Sequence, residues 1–369
     1  MSSGQQFTLR TIIMAHPDRA AQAAALARHV PGAEVVFDPE PDGRRDSMRA
    51  TYAAWSAGVA DATHVLVIQD DVILSDTFLP TVLAGIELLP DAALAFYAHN
   101  DSPNGALIRL SAAAGADWVE AITEADYLPC QAVLMPVPLV RRLTEFMRPL
   151  VGLRFDDDDV LAQFLTTAGV PTYLSVPSVV NHGQFVSLIG NDERSAALYS
   201  HFHPASAGSG QRLAHSVTAC PYFSKGVAYC MLRVDDGTHD AWRQAHWLDA
   251  VRWLGLDRAV IEEGFEQHRA ADDQVPALVD HIGLAYVHGI WVTAYLTGHV
   301  LRTGAVPVRR LTDGATTPVS SDLLIDGWAA MGEGGLFGTL LHPRSLDGWG
   351  KAVSAVAQAA YEAAGGPTP

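Results

Sequence analysis

The chain has 369 residues, 49% of them hydrophobic and 18% charged, with 24 basic against 41 acidic side chains and a formal net charge of −17. That length fits one large α/β domain with an extension, or two domains, and the composition is that of a folded globular protein rather than a disordered one. The acidic excess excludes a broad electrostatic footprint for nucleic acid or an anionic membrane. Cys130, Cys220 and Cys230 form no CxxC pair and no zinc spacing, which predicts free thiols in a reducing compartment. The opening MSSGQQFTLR lacks an apolar leader, and no apolar run approaches the length of a membrane span, so the expectation is a soluble, cytoplasmic protein without a membrane span.

In chain order, residues 10–15 read as a first strand stopped by His16-Pro17, since proline cannot donate to a ladder and restricts the residue before it. Residues 18–30 are rich in helix formers and end at Pro31-Gly32, and 34–38 form a short second strand closed by Pro39. A second helix over 47–60 leads to 64-HVLVIQ-69, a continuous apolar run of the kind found in a sheet buried on both faces. This β-α-β-α-β alternation predicts a doubly wound, Rossmann-type sheet with ligands beyond the carboxyl ends of its strands.

Helix is expected at 77–89, strand at 93–99 and 131–137, helix at 138–149 and 155–169, and extended chain at 172–183. The core is expected to span residues 1–205, with a loop at 203–210 before a mainly α-helical C-terminal extension, 206–369. Within it, 240–303 reads as helical, 304–321 as loop and 348–366 as a last helix.

The stretch 63-THVLVIQDDVILSDTF-78 carries the chemical question, because a buried run ends in adjacent aspartates. Two neighbouring carboxylates repel, and burying an unpaired one is costly, so a positive partner is expected close by. A divalent cation, Mn²⁺ or Mg²⁺, is the economical choice, since hard oxygen ligands suit it and it keeps positions open for phosphate oxygens. A haloacid-dehalogenase-type phosphatase is excluded by the lack of Asp-x-Asp, and neither a Walker loop nor a glycine-rich dinucleotide fingerprint follows any strand.

A first strand ending near His16, an acidic second-strand end at Asp38, and 65-VLVIQDDV-72 together resemble the nucleotide-sugar half of a GT-A glycosyltransferase, with Gln69-Asp70-Asp71 in the place of its DxD motif. The runs 155-FDDDDVLAQFL-165 and 176-VPSVVNHGQFVSLIGN-191 are similar to that family's acceptor-side acidic cluster and late metal-binding histidine. The likeness is to bacterial enzymes of the lipopolysaccharide and natural-product kind and covers residues 8–200, with one departure: Gln69 stands where an acidic residue is usual. It implies a Leloir-type transferase that moves a sugar from a nucleotide diphosphate to an acceptor hydroxyl; inversion is preferred because a candidate base is visible and no clear nucleophile is, while a retaining enzyme would share the same donor site.

On this resemblance Asp71 and His182 hold the ion, and Asp157 is the base, with Asp156 and Asp158 as near competitors. Ala15, His16, Pro17, Asp38, Gln69 and Asp70 line the nucleotide, and Arg19, Arg45 and Arg49 are candidates for the diphosphate. Rival readings are a nucleotidyltransferase, which would want a glycine-rich loop and lysine after the first strand, and a non-catalytic nucleotide-sugar-binding protein. The aromatic and histidine residues Trp242, His246, Trp247, Trp253, His281, His288, Trp291 and His299 are expected in helix–helix packing or a homodimer surface rather than in a metal site.

Overall fold

The structure, a computed structural model, describes residues 7–42, 46–59, 61–126, 128–153, 155–183, 211–235, 240–312, 321–336, 339–342 and 344–366. Strand β1 (Leu9–Ala15) runs into a short 3-10 turn at Pro17–Arg19 and helix α1 (Ala20–His29), followed by β2 (Glu34–Phe37) and α2 (Ser47–Ala57). Strand β3 (His64–Gln69) keeps the bounds its apolar run predicts, and β4 (Val72–Leu74) and α3 (Phe78–Leu88) follow. Strand β5 (Ala93–Ala95) is shorter than expected.

Helix α4 (Pro103–Ala113), absent from the sequence reading, starts where the Ser102 side chain accepts from the Gly105 N–H and Pro103 supplies a preset φ. A β-carbon at Gly105 would lie 1.7 Å from the His99 carbonyl oxygen, so only glycine lets this helix lie so close to the turn before it. Then come β6 (Trp118–Glu120), β7 (Ala132–Pro136), α5 (Val137–Met147), α6 (Asp157–Thr167), β8 (Thr172–Ser175) and β9 (Val180–His182).

Beyond these lie β10 (Arg212–Ala214), β11 (Ala219–Ser224), β12 (Val227–Asp235), β13 (Asp240–His246), α7 (Trp247–Trp253), α8 (Arg258–Ala271), α9 (Gln274–Ile282), α10 (Leu284–Arg302), β14 (Val308–Arg310), α11 (Ser321–Gly334) and α12 (Gly350–Ala363).

The fold is α/β around a mixed nine-stranded sheet of order β14-β10-β6-β8-β5-β7-β3-β1-β2. Strands β2, β1 and β3 are parallel, β7 is antiparallel to both β3 and β5, and β5 is parallel to β8. Alternate residues of the central strands feed two cores. Ile12, Val65, Val67 and Val133 pack on one face with Trp55, Leu107, Leu143 and Leu161 of α2, α4, α5 and α6. Ile13, Leu66, Ile68 and Leu134 pack on the other with Leu26 of α1 and Val82 of α3. Burial on both faces is why these strands read as unbroken apolar runs.

The expected boundary at 205/206 is not a boundary of the sheet. Strand β10 pairs parallel with β6 and antiparallel with β14, so two strands from the C-terminal part extend the sheet. The Asp117 carboxylate fastens this junction by accepting from the Gln211 and Arg212 backbone N–H groups and from the Arg212 guanidinium. Residues 240–246, expected as helix, form β13 of a separate antiparallel sheet, β11-β12-β13.

Helices α9 and α10 meet at 119° at Gly283, whose φ is 92°. His281 and His288 therefore sit on different helices, not on one face as their spacing suggests. His281 stacks on Trp349, whereas the His288 Nε2 lies 2.9 Å from Glu262 Oε2. Trp291 is buried, stacks on His268, and donates its indole N–H to the Ile261 carbonyl. Trp253 is 49% exposed. Among the described residues no single helix is long and apolar enough to cross a membrane; the bent pair α9–α10 passes such a test jointly, but α10 is almost wholly buried inside the protein. The three cysteines are buried free thiols.

Candidate functional site

The parallel register of β1 with β3, Met14 opposite Gln69, delivers both strand ends to one edge of the sheet. There the His16 backbone N–H donates to Asp70 Oδ2 at 2.8 Å. On the far side of Asp71, β4 pairs antiparallel with β9 and sets Val72 opposite His182, and the Gly183 N–H donates to the Asp71 carbonyl at 2.6 Å. Residues more than a hundred positions apart thus converge: His182 Nε2 lies 3.4 Å from Asp71 Oδ2.

The positive charge that the adjacent aspartates require is present in the protein itself. Arg19 Nη1 donates to Asp70 Oδ1 at 3.0 Å and to Asp71 Oδ2 at 2.6 Å, and its side chain is only 10% exposed. The 3-10 turn at Pro17–Arg19 aims it back across the strand ends. Burial raises the Asp70 carboxyl above its ordinary range despite its hydrogen bonds. Burial opposes ionisation of Asp71 as well, but His182 and Arg19 outweigh it and hold that carboxyl below its ordinary value. Burial alone would lower the His182 imidazole, and Asp71 more than reverses this.

Two features bear on an ion. Asp71 Oδ1 is buried with no hydrogen-bond partner. His182 Nδ1 lies 2.8 Å from the Gly183 carbonyl and Nε2 lies 3.4 Å from Asp71 Oδ2, so both ring nitrogens face acceptors, and the Gly183 contact orients the ring so that Nε2 is the atom it would present to an ion. One carboxylate oxygen and one imidazole nitrogen fit a cation that takes its remaining ligands from phosphate and water. Among the described residues no group of three or more His, Cys, Asp or Glu side chains is arranged to hold an ion, so these residues alone provide no complete cage.

The nucleotide-side residues divide. Ala15 is buried in β1, and its carbonyl accepts from the Asp38 N–H, which holds Asp38 at the end of β2. Arg49 engages both Asp38 oxygens, at 2.7 and 2.8 Å, and this hydrogen bonding depresses the Asp38 carboxyl. Asp38 and Arg49 are thus an ion pair beside the strand ends, and any nucleotide group that donates to Asp38 has to share its oxygens with that guanidinium. The Gln69 backbone N–H is spent on the Gln131 carbonyl. His16 Nδ1 accepts from the Asp18 N–H, and Pro17 opens the turn, so both shape the backbone there. Arg45 lies outside the described residues, as do residues 184–191 of the similar C-terminal motif.

Helix α6 brings its acidic first turn to the same edge through Thr51 on α2. The Thr51 hydroxyl donates to Asp157 Oδ2 at 2.7 Å and also lies 3.3 Å from the sulfur of Met14, the residue paired with Gln69. Asp157 is 8% exposed. Asp158 is half-buried, and burial together with the charge of Asp157 pushes its carboxyl up to about 7. Asp156 is exposed at the N-cap and makes no side-chain capping bond.

Thr51 and Tyr97 were not anticipated. Thr51 had a signal: a hydroxyl on the otherwise apolar face of Met48, Ala54 and Trp55 implies a buried polar partner. Tyr97, just past β5, is fully buried, and its phenol is pushed well up by burial and by the nearby charges of Asp101 and Asp71. No alternation pattern reveals that proximity. Behind it, the buried Arg109 guanidinium donates to the Asn100 carbonyl at 3.0 Å and pins the turn between β5 and α4. No protein-family model matches this chain, and no curated protein matches it.

Proposed function

We propose that the chain is a nucleotide-sugar-dependent glycosyltransferase of GT-A type, assisted by Mn²⁺ or Mg²⁺. The observation that carries this reading is the convergence of Asp70, Asp71, Arg19 and His182 at the carboxyl ends of parallel strands, with one buried Asp71 oxygen left without a partner. Open α/β sheets bind ligands at that edge. The diphosphate of the donor would meet the His16–Arg19 turn, where Arg19 supplies a cation whose planar set of donors suits phosphate.

Asp71 and His182 would hold the ion, which when bound supplies electrostatic stabilisation of the charge on the departing diphosphate. The acceptor hydroxyl attacks the anomeric carbon as the bond to the diphosphate oxygen breaks, and its proton passes to a carboxylate at the start of α6. Asp158 suits that task better than Asp157. Its carboxyl is partly accessible and titrates near neutrality, whereas Asp157 is buried and engaged by Thr51. Asp157 then positions the helix.

Thermal-shift measurements with UDP, GDP and TDP, each with and without Mn²⁺, test the reading. Stabilisation by one nucleotide that grows with the ion is expected, together with donor hydrolysis lost in Asp71→Asn. Absence of any nucleotide effect would overturn it.

A further inference from the structure

The salt bridge between Arg19 and the aspartate pair sits where an ion bound at Asp71 would have to act. Asp70, Asp71 and Arg19 side chains are 7%, 14% and 10% exposed, so water screens this contact little. Arg19 holds Asp71 Oδ2 at 2.6 Å, while Oδ1 of the same carboxylate has no partner. A divalent ion approaching Oδ1 therefore meets a full positive charge on the neighbouring oxygen. The described protein ligands cannot compensate, because Asp71 and His182 are the two donors at this position.

A diphosphate changes the balance. It brings oxygen ligands for the ion and an alternative anionic partner for the guanidinium, at which Arg can form paired hydrogen bonds. On the donor-site reading given above, we infer that Arg19 is an exchangeable counter-cation: it occupies the Asp70–Asp71 pair until a nucleoside diphosphate arrives, then transfers to the diphosphate and leaves Asp71 to the ion. Ion and nucleotide consequently bind as a unit, and by reciprocity each tightens the other by the same factor. Asp70 is part of the device. Its second oxygen is anchored by the His16 N–H, so the resting position of Arg19 is fixed by the same turn that faces the diphosphate.

The test is a Mn²⁺ titration followed by the loss of the free-ion electron paramagnetic resonance signal, on wild type, Arg19→Gln and Arg19→Lys, with folding checked by circular dichroism. In wild type, Mn²⁺ alone is expected to bind weakly and at least about tenfold more tightly with the nucleotide that thermal shift selects. Arg19→Gln is expected to bind Mn²⁺ alone about tenfold more tightly than wild type does, with a smaller gain from nucleotide. Arg19→Lys, which keeps the charge but replaces the planar guanidinium with a compact ammonium on a shorter side chain, is expected to fall between them, and it carries the test if the glutamine variant fails to fold. Affinities for the ion alone that match wild type in the folded variants, while nucleotide still recruits Mn²⁺, would overturn the exchange and leave the donor-site reading standing. Failure of wild type to bind Mn²⁺ with any of the three nucleotides would overturn both.

Discussion

The mouth of the sheet and the helical layer of α7–α12 use charge in opposite ways. At the mouth, Arg19, Asp70, Asp71, Arg49 and Asp38 are largely buried, and each pair joins residues on different elements. In the helical layer the pairs Asp249–Arg252, Arg258–Glu262 and Glu266–Arg269 are one helical turn apart and mostly exposed. Burying charge is costly and is sustained only by close partners, whereas surface pairs form readily and contribute little. The interior of the helical layer is instead aromatic: Trp291 with Phe265 and His268, Trp328 with Tyr361. Buried charge thus marks one region and exposed charge the other.

The contrast can be broken from either side. Trp291→Ala should have the largest effect on stability, about 4 kcal/mol by denaturant unfolding, because it empties a buried indole site and removes the hydrogen bond from the indole to the Ile261 carbonyl. Nucleotide affinity of the folded fraction should not change. Asp71→Ala should cost about 3 kcal/mol, since it strips a buried partner from Arg19 and His182, and it should also abolish ion-dependent nucleotide binding. Calorimetric binding beside the unfolding curve separates these two losses.

A third effect depends on pH. The Asp158 carboxyl is raised in the folded protein, so its contribution to stability is fully present below the ordinary aspartate range and is lost as pH rises toward about 7. Asp158→Asn should therefore gain stability relative to wild type at pH 8 and less so at pH 5, read from urea midpoints at both values. A shift of equal size at the two pH values would contradict the raised carboxyl. Smallest of all, Arg252→Ala should change unfolding by less than about 0.5 kcal/mol, as expected for an exposed pair.

The sequence was most informative where one physical cause dominates. The run 64–69 is buried on both faces and ends in charge, so its bounds could be read directly. The convergence of His182 on Asp71 needed the β4–β9 pairing, which no local pattern reveals. The aspartates do have the positive partner that their adjacency demands, but it is Arg19, which the sequence offers only as a candidate for the diphosphate, because its burial depends on a turn that one-dimensional spacing does not encode. The signal for α4 was present, since Ser102-Pro103 is a good helix start, yet 100-NDSPNG-105 also reads as a loop. Strand β13 was lost for the converse reason. Its tryptophan and histidine residues lie next to true helices and share their composition.

The strand order leaves β14 and β2 as the two margins of the large sheet. An open margin is a template on which a strand from another molecule can add. Strand β14 offers three residues, and two of them, Arg309 and Arg310, are exposed cations that repel the same margin of another copy. Strand β2 offers four, closed within two residues by Pro39. Short margins guarded by charge and by proline guard the architecture against fibrous, edge-to-edge growth, a hazard that replacing both arginines with threonine would restore.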